Sequence, residues 1–597
     1  MKLSDYIIDF LVQEGVSHVF ELIGGAITHL LDSVYTRDDI QCISLHHEQS
    51  AAFAAEAYAR INGNLGVAIA TSGPGALNLV TGIGSCYFDS VPCLFITGQV
   101  NTYEYKFGRS VRQLGFQETD IVSVVKPITK YAQLVTNAEQ IRYYLEKAIY
   151  IARSGRPGPV LLDIPMNIQR AQIEPDKLAS FWDSAEYKKL YAEEIGHIFK
   201  QGANIIDEVI KLIKEAKRPV ILAGGGVRTA RAITEFGLLV EKTGIPVVTS
   251  LMGLDALPHD NRAFFGMIGS YGNRYSNLTL ANSDFLLILG SRLDTRQTGT
   301  RPETFARAAK KVHVDIDPVE LNAKVQVDTA INCNVREFLS LINAKLEGYV
   351  KPDFSPWYQT INGFKEKYST LAQPGKAENI DPNHFMEILS SYCAAGDIIC
   401  IDVGQNQMWA AQSFRLKKKQ RMLISGGMGA MGFALPAALG AAMSAPERKV
   451  IIIAGDGGIQ VNIQELDAFV NHNLPVKIFV MNNQCLGMVR QFQDLYFGGR
   501  QQSTVKGYSC PNLGKVAAAY GIPSYNIASW SSARDIIETA LKTEGPAFVE
   551  VKLEQTTCVD PKLVVNRPIE DMSPHLDRSE LQEIMLIDLM EEMDVPV

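Results

Sequence analysis

Four consecutive residues, Gly455-Asp456-Gly457-Gly458, could hold a phosphate group and a cation. They follow the apolar run Val450-Ile-Ile-Ile-Ala454 and precede a helical pattern over 464–470. A second apolar run, 477–481, ends in Asn482-Asn483. In a β-α-β unit both strand ends emerge at the same carboxyl edge of a parallel sheet, where ligands bind. Asp456 and Asn483 lie 27 residues apart, a spacing that suits one crossover. Their hard oxygens could face one small divalent cation, with carbonyls, water and phosphate completing an octahedron. The glycines let the backbone approach a diphosphate, and the following helix N-terminus favours negative charge. A lone Gly-Asp-Gly is equally an ordinary β-α turn with an Asp cap. The Asn-Asn pair at this distance favours the metal.

Two further places carry chemistry. Cys42-Ile-Ser-Leu45 leads into His46-His47-Glu48-Gln49 and an Ala-rich helical pattern ending at Arg60. Glu48 at that junction could simply complement the helix N-terminus. Kept from bulk water in a sheet crevice, it could instead hold and move a proton. In the middle of the chain Gly224-Gly225-Gly226 follows the run Pro219-Val-Ile-Leu-Ala223. As Gly-x-Gly-x-x-Gly it fails at Thr229 and is a weak dinucleotide signal.

The elements that must position these residues are short apolar runs alternating with helical patterns. Gly66-Val-Ala-Ile-Ala-Thr71, 91–97, 219–223, 285–289, 450–454 and 477–481 are continuously apolar. Such strands are buried on both faces, so the expected class is α/β, with parallel sheets covered by helices. Polar or Pro-rich stretches divide the chain into doubly wound domains at 1–168, 203–345 and 380–555. Linkers are expected at 169–202 and 346–379, and a tail folding over the core at 556–597.

Composition sets the outer bounds. The 597 residues are 46 % hydrophobic and 20 % charged, with a formal net charge of −8. That is ordinary globular usage, and it excludes a disordered or fibrous protein. Lys417-Lys418-Lys419 is the strongest basic cluster and reads as a solvated loop, so no nucleic-acid partner is expected. No signal peptide and no apolar run of membrane length is seen, so no membrane span is expected. Nine scattered cysteines without a C-x-x-C pair argue against a disulfide framework or a zinc site, and a reducing cytoplasm is expected.

The Gly-Asp-Gly and Asn-Asn spacing resembles the thiamine-diphosphate motif. Thr71-Ser-Gly-Pro-Gly75, Ile96-Thr-Gly-Gln-Val100, Phe116-Gln-Glu-Thr-Asp120, Ser154-Gly-Arg-Pro-Gly-Pro159, Gln407-Met-Trp-Ala-Ala-Gln412, Gly426-Gly-Met-Gly-Ala-Met-Gly432 and Gly487-Met-Val489 resemble acetohydroxyacid (acetolactate) synthase catalytic subunits. This likeness runs to about residue 555. It implies three domains: pyrimidine-binding, central flavin-type and diphosphate-binding. Mg2+ would be held by Asp456, Asn483 and the Cys485 carbonyl; the Cys485 thiol is otherwise inert. Glu48, with Gln117, would be catalytic, Glu48 by bonding the cofactor's pyrimidine. Gly404, Gln405, Asn406, Gly455, Gly457, Gly458 and Met488 would contact thiamine diphosphate. Met431, which alone reads as core, would enforce the cofactor's bent shape. Arg156, Gly224, Gly225, Gly226, Ser250, Leu251, Met267, Gly269, Arg292, Asp294, Arg296, Asp315, Ile316 and Asn334 would contact FAD, unless the central domain is vestigial. Val489 and Phe492 would meet substrate.

The sequence departs from the synthase pattern at several points. Glu21-Leu22-Ile23 stands before Gly24-Gly25 where Gly-Tyr-Pro is usual. Asn406 replaces a His, Cys333-Asn334 a Gly-Asp, and Phe492 a Trp. The tail Arg567-Pro-Ile-Glu-Asp-Met-Ser-Pro574 looks more like flavin-containing carboligases acting on nucleotide-activated keto sugars. The resemblance implies pyruvate decarboxylation and transfer of the acetyl unit to a second carbonyl, giving 2-acetolactate from pyruvate. A keto-sugar acceptor, a flavin oxidase and a non-catalytic cofactor-binding subunit are the alternatives. It also implies a homodimer or homotetramer, open to a small regulatory subunit.

Overall fold

The computed structural model of the chain describes residues 1–196, 203–371 and 379–590. Parts of both expected linkers, 197–202 and 372–378, and the tail end 591–597 lie outside the described residues. Three six-stranded sheets carry the architecture. The first holds β1 (His18–Leu22), β2 (Gln41–Ser44), β3 (Gly66–Ala70), β4 (Cys93–Gln99), β5 (Tyr131–Leu134) and β6 (Val160–Pro165). The second holds β7 (Pro219–Ala223), β8 (Val247–Thr249), β9 (Phe264–Met267), β10 (Phe285–Leu289), β11 (Lys310–Asp315) and β12 (Thr329–Asn332). The third holds β13 (Ile398–Ile401), β14 (Arg421–Ile424), β15 (Val450–Gly455), β16 (Val476–Asn482), β17 (Ser524–Ile527) and β18 (Ala547–Lys552).

Every neighbouring pair in these sheets is parallel. The continuously apolar runs are the central strands: β3, β7, β10 and β16 are buried along their whole length. Burying one such side chain contributes about 1.5–3 kcal/mol, so these strands anchor the cores.

Strand order explains where ligands can bind. The outer sheets run β2-β1-β3-β4-β6-β5 and β14-β13-β15-β16-β18-β17. The middle sheet runs β9-β8-β7-β10-β11-β12, the order of a dinucleotide-binding doubly wound sheet. In each, the chain winds away in opposite directions from two adjacent strands, leaving a crevice at their carboxyl ends. Those pairs are β1/β3, β7/β10 and β13/β15.

The first and third domains are joined by two helices. Glu48–Asn62 packs against Ala434–Ser444. Ala51, Ala52, Ala54 and Ala55 on one and Ala437, Ala438 and Gly440 on the other keep the backbones close. A Cβ at Gly440 would collide with the Ala54 carbonyl. Phe53 and Phe433 meet edge to face, 5.4 Å between centroids.

The segments read as linkers carry helices, Ala185–Gly196 and Ser355–Lys367. The second buries Trp357, Ile361 and Phe364 against the middle domain, so it is part of that domain's cover. The tail forms a short antiparallel pair, Lys562–Leu563 with Met572–Ser573, and a helix Arg578–Ile584 on the same side. Among the described residues no helix is long and apolar enough to cross a membrane.

Candidate active site

β15 and β16 are hydrogen-bonded neighbours, with Gly455 opposite Met481. Asp456 and Asn483 therefore leave the carboxyl edge side by side. Asn483 Nδ2 donates to Gln405 Oε1 at 2.9 Å. That bond turns Asn483 Oδ1 toward two other acceptors, Asp456 Oδ1 at 3.3 Å and the Cys485 carbonyl at 3.0 Å. Three oxygens converge with no hydrogen between them. Rotating the amide would convert these contacts to hydrogen bonds but would set an oxygen against Gln405 Oε1. An octahedral Mg2+ with bonds of about 2.1 Å separates adjacent ligand oxygens by about 3 Å, so the unrotated arrangement fits that cation.

Asp456 is 1 % exposed and accepts from Tyr508 Oη at 2.7 Å. Burial pushes its carboxyl up to about 6. The Cys485 thiol is buried and pushed up to about 11, so only its carbonyl is available. The helix after Gly455 starts at once, at Asp456–Ile459, earlier than its sequence pattern suggests. It kinks at Asn462, whose amide donates to the Gly432 carbonyl (2.8 Å) and to Gln49 Oε1 (3.1 Å).

Gly404, Gln405 and Asn406 follow β13, across the crevice from Gly455. Asn406 Nδ2 ties both strand ends together, donating to the carbonyls of Asp402 (2.7 Å) and Ile453 (3.2 Å). Cβ atoms at Gly457 and Gly458 would collide with Leu486 and with the Asp402 carboxylate; Met431 Cε lies beside Gly457. Asp402, which the motifs did not flag, accepts from the backbone of Val403, Gly432 and Ala434 at 2.9–3.0 Å. It fixes the loop that carries Met431. Its place directly after an apolar run was the available signal.

Glu48 is the first residue of its helix, buried, and accepts from Asn78 Nδ2 at 2.9 Å. Gly75 of the loop after β3 lies against its carboxyl, where a Cβ would come within 3.0 Å of Oε1. Gly73 of the same loop packs on Gln117, whose φ of +63° is left-handed. One loop thus brings Glu48 and Gln117 together. Glu465 of the third domain accepts from His46 N at 3.2 Å. On the helix Gly487–Tyr496, Met488 is half-buried while Val489 and Phe492 are exposed.

The β7/β10 crevice of the middle domain opens into a cavity of about 780 Å³ walled by all three domains. Arg156, Gly225, Gly226, Ser250, Leu251, Met267, Arg292, Asp294, Arg296, Asp315, Ile316 and Asn334 line it. Gly224 and Gly269 do not line it; each shapes its rim, by close approach to Gly290 and to the Arg296 carbonyl. Asp294 caps the turn Thr295–Thr298, and Asn334 caps the helix Val335–Lys345. Arg156 is paired with Asp317 (3.2 Å) and Glu320 (3.1 Å). Asp315 is pushed up to about 6 by burial. The volume falls within the range of cofactor pockets, and the strand order is that of dinucleotide binders. The wall also holds Arg228, Asp255 and Arg421, which sequence motifs did not flag.

Comparison with known proteins finds three family models in sequence along the chain. Residues 1–124 match the family "Thiamine pyrophosphate enzyme, N-terminal TPP binding domain", 206–342 its central domain, and 402–551 its C-terminal TPP binding domain. The chain is 39 % identical to acetolactate synthase 2 (chloroplastic) of Nicotiana tabacum, over 92 % of this chain and 82 % of the tobacco one. It is 38 % identical to the chloroplastic acetolactate synthase of Arabidopsis thaliana, over 92 % and 81 %. Acetolactate synthase 1 (chloroplastic) of Oryza sativa subsp. japonica is 37 % identical, over 96 % and 87 %. The chain belongs to the acetolactate synthase-like family of thiamine-pyrophosphate-dependent enzymes.

Proposed function

We propose that the protein decarboxylates pyruvate and transfers the acetyl unit to a second carbonyl, giving 2-acetolactate when that carbonyl is pyruvate. Thiamine diphosphate supplies the carbon nucleophile and the electron sink that decarboxylation needs. The observation that carries this reading is the convergence of Asp456 Oδ1, Asn483 Oδ1 and the Cys485 carbonyl. In it these three oxygens would hold Mg2+, and the backbone at Gly404, Gly455, Gly457 and Gly458 would contact a diphosphate. Glu48, fixed by Asn78, holds a proton on the cofactor's pyrimidine ring. Met431 and Met488 provide apolar contact, and Gln117, Val489 and Phe492 face substrate. FAD is assigned to the three-domain cavity.

Glu48 and Asp456 sit on separate domains with separate partners. Apolar side chains are exposed around both, including Tyr103 (67 %) and Phe116 (85 %) in the first domain and Val461 and Phe497 in the third. Patches of this kind mark association, and a homodimer that pairs the first domain of one copy with the third of the other covers them. All nine cysteines are unbridged, which suits a reducing compartment. The experiment is CO2 release from pyruvate by protein supplied with Mg2+, thiamine diphosphate and FAD, with products identified. Release with acetolactate formation supports the reading; no release overturns it. A second acceptor class is favoured by Phe492 and by the tail that packs beside it.

A further inference from the structure

Lys562 is a buried cation beside Phe492. The residue is 5 % exposed, and its ammonium has no hydrogen-bond acceptor among the described residues. It faces three aromatic rings instead: Nζ lies 5.6 Å from the centroid of Tyr271, 5.5 Å from Phe492 and 5.8 Å from Tyr496. Cation–π attraction is worth about 0.5–2 kcal/mol per good contact. It does not replace the three hydrogen bonds an ammonium can donate, and a buried charge left without them is costly.

The surrounding contacts hold this arrangement in place. Leu563 N donates to the Ser270 carbonyl at 2.7 Å, and Val565 N to Tyr496 Oη at 3.2 Å. Upstream, Gln491 exchanges two hydrogen bonds with the Val559 backbone, at 2.8 and 3.0 Å. The tail is thus stitched to the helix Gly487–Tyr496 on both sides of Lys562. The ammonium lies between Tyr271, which lines the three-domain cavity, and Phe492, whose other face is open. Burial lowers the pKa of the lysine, and its charged neighbour in the tail is Asp560.

We propose that Lys562 is an acceptor-recognition residue, its ammonium receiving an anionic oxygen of the second substrate beside Phe492. This rests on the carboligase reading above. The anion is the carboxylate of a 2-keto acid or the phosphate of a nucleotide-activated sugar, and both present the same chemistry to an ammonium. An aromatic cage keeps the cation oriented and dry until that group arrives, so its unused donors become selectivity for charged acceptors.

The test is calorimetric binding to the holoenzyme, comparing wild type with Lys562→Met and Lys562→Arg. The probes are 2-hydroxybutyrate, a carboxylate lacking the reactive carbonyl, and UDP. Lys562→Met keeps most of the apolar stem, and Lys562→Gln serves if the Met variant does not fold. The expected result is at least a tenfold loss of affinity for one probe in Lys562→Met, with Lys562→Arg within about threefold of wild type. The probe that loses affinity identifies the anion. Wild-type affinity for both probes in the variant, or no binding of either to wild type, overturns the proposal. Absence of CO2 release from pyruvate would sink the carboligase reading instead, and the binding result would still read the lysine.

Discussion

Arg421 Nε donates to Asp255 Oδ2 at 2.8 Å across the boundary between the third and second domains. The other oxygen of Asp255 takes Arg228 Nε at 3.3 Å, and Arg421 Nη1 reaches the Arg60 carbonyl of the first domain at 2.7 Å. All three domains meet at one carboxylate. Burial alone would raise its pKa, but the guanidinium groups of Arg421 and Arg228 outweigh that and hold it at about 2. Asp255→Asn would leave Arg421 and the partly exposed Arg228 without their counter-charge, a change that costs about 3 kcal/mol at the lower end of the buried-pair range. Urea denaturation should show that loss, and flavin absorbance after gel filtration should show weaker FAD retention. An unchanged midpoint would mean the three-domain junction does not depend on this charge.

The metal prediction is sharper. Asp456→Ala removes one of three converging oxygens while leaving Asn483 and the Cys485 carbonyl in place. The fold should survive, because the strands on either side are anchored by their own burial. Calorimetry should find Mg2+-dependent binding of thiamine diphosphate abolished. Binding equal to wild type would refute the assignment.

Glu48→Gln addresses proton handling separately from binding. The amide retains size and can still pair with Asn78, but it cannot share a proton as a carboxyl does. The variant should bind cofactor and slow its C2–H/D exchange by several orders of magnitude, measured by NMR after acid quench. Exchange at the wild-type rate would remove Glu48 from catalysis.

These three residues also show how much was legible in the sequence. Asp456, Asn483 and Glu48 lie at the ends of apolar runs, and a parallel sheet sends all such ends to one edge. Local pattern therefore sufficed to place them at strand ends, while the roles proposed for them come from the family resemblance. Asp255, Arg421 and Lys562 had no such signal, because a lone charged residue reads as solvated surface until tertiary packing encloses it. The helix Ser355–Lys367 was legible in principle. Its buried Trp357, Ile361 and Phe364 follow helical spacing, but the prolines at 352 and 356 suggested a linker.

Asp163 predicts a pH dependence. It is 1 % exposed and accepts from Thr97 Oγ1 at 2.7 Å and Gln99 Nε2 at 2.9 Å. Burial outweighs both bonds and pushes the carboxyl up to about 7. An acid raised on folding stabilises fully below its unfolded pKa of about 4. That contribution is lost as pH rises through about 7, because the unfolded chain gives up its proton first. The window corresponds to roughly 4 kcal/mol between those limits. Asp163→Asn should flatten the decline in urea stability between pH 4 and 7 relative to wild type. Gln99 also donates to the Thr119 carbonyl, two residues beyond Gln117. Parallel slopes for variant and wild type would contradict the flattening.

The last prediction concerns Phe492, where acceptor choice is decided in the proposed reading. The ring is 44 % exposed, lies tilted at 49° with its centroid 4.7 Å from that of Tyr496, and has Lys562 Nζ 5.5 Å from its centroid. A Trp at this position would add aromatic area on the open side and a better face for the ammonium on the other. One methylene in an apolar pocket changes selectivity by about 1–3 kcal/mol, roughly 10–200-fold. With Phe, little surface distinguishes the ethyl group of 2-ketobutyrate from the methyl of pyruvate. Competition between the two keto acids, with both products quantified, should give a weak preference for 2-ketobutyrate in wild type. Phe492→Trp should raise that preference at least several-fold, and CO2 release in the absence of 2-ketobutyrate provides the reference rate for the donor half. A strong wild-type bias toward acetohydroxybutyrate would mean that another wall of the pocket sets selectivity.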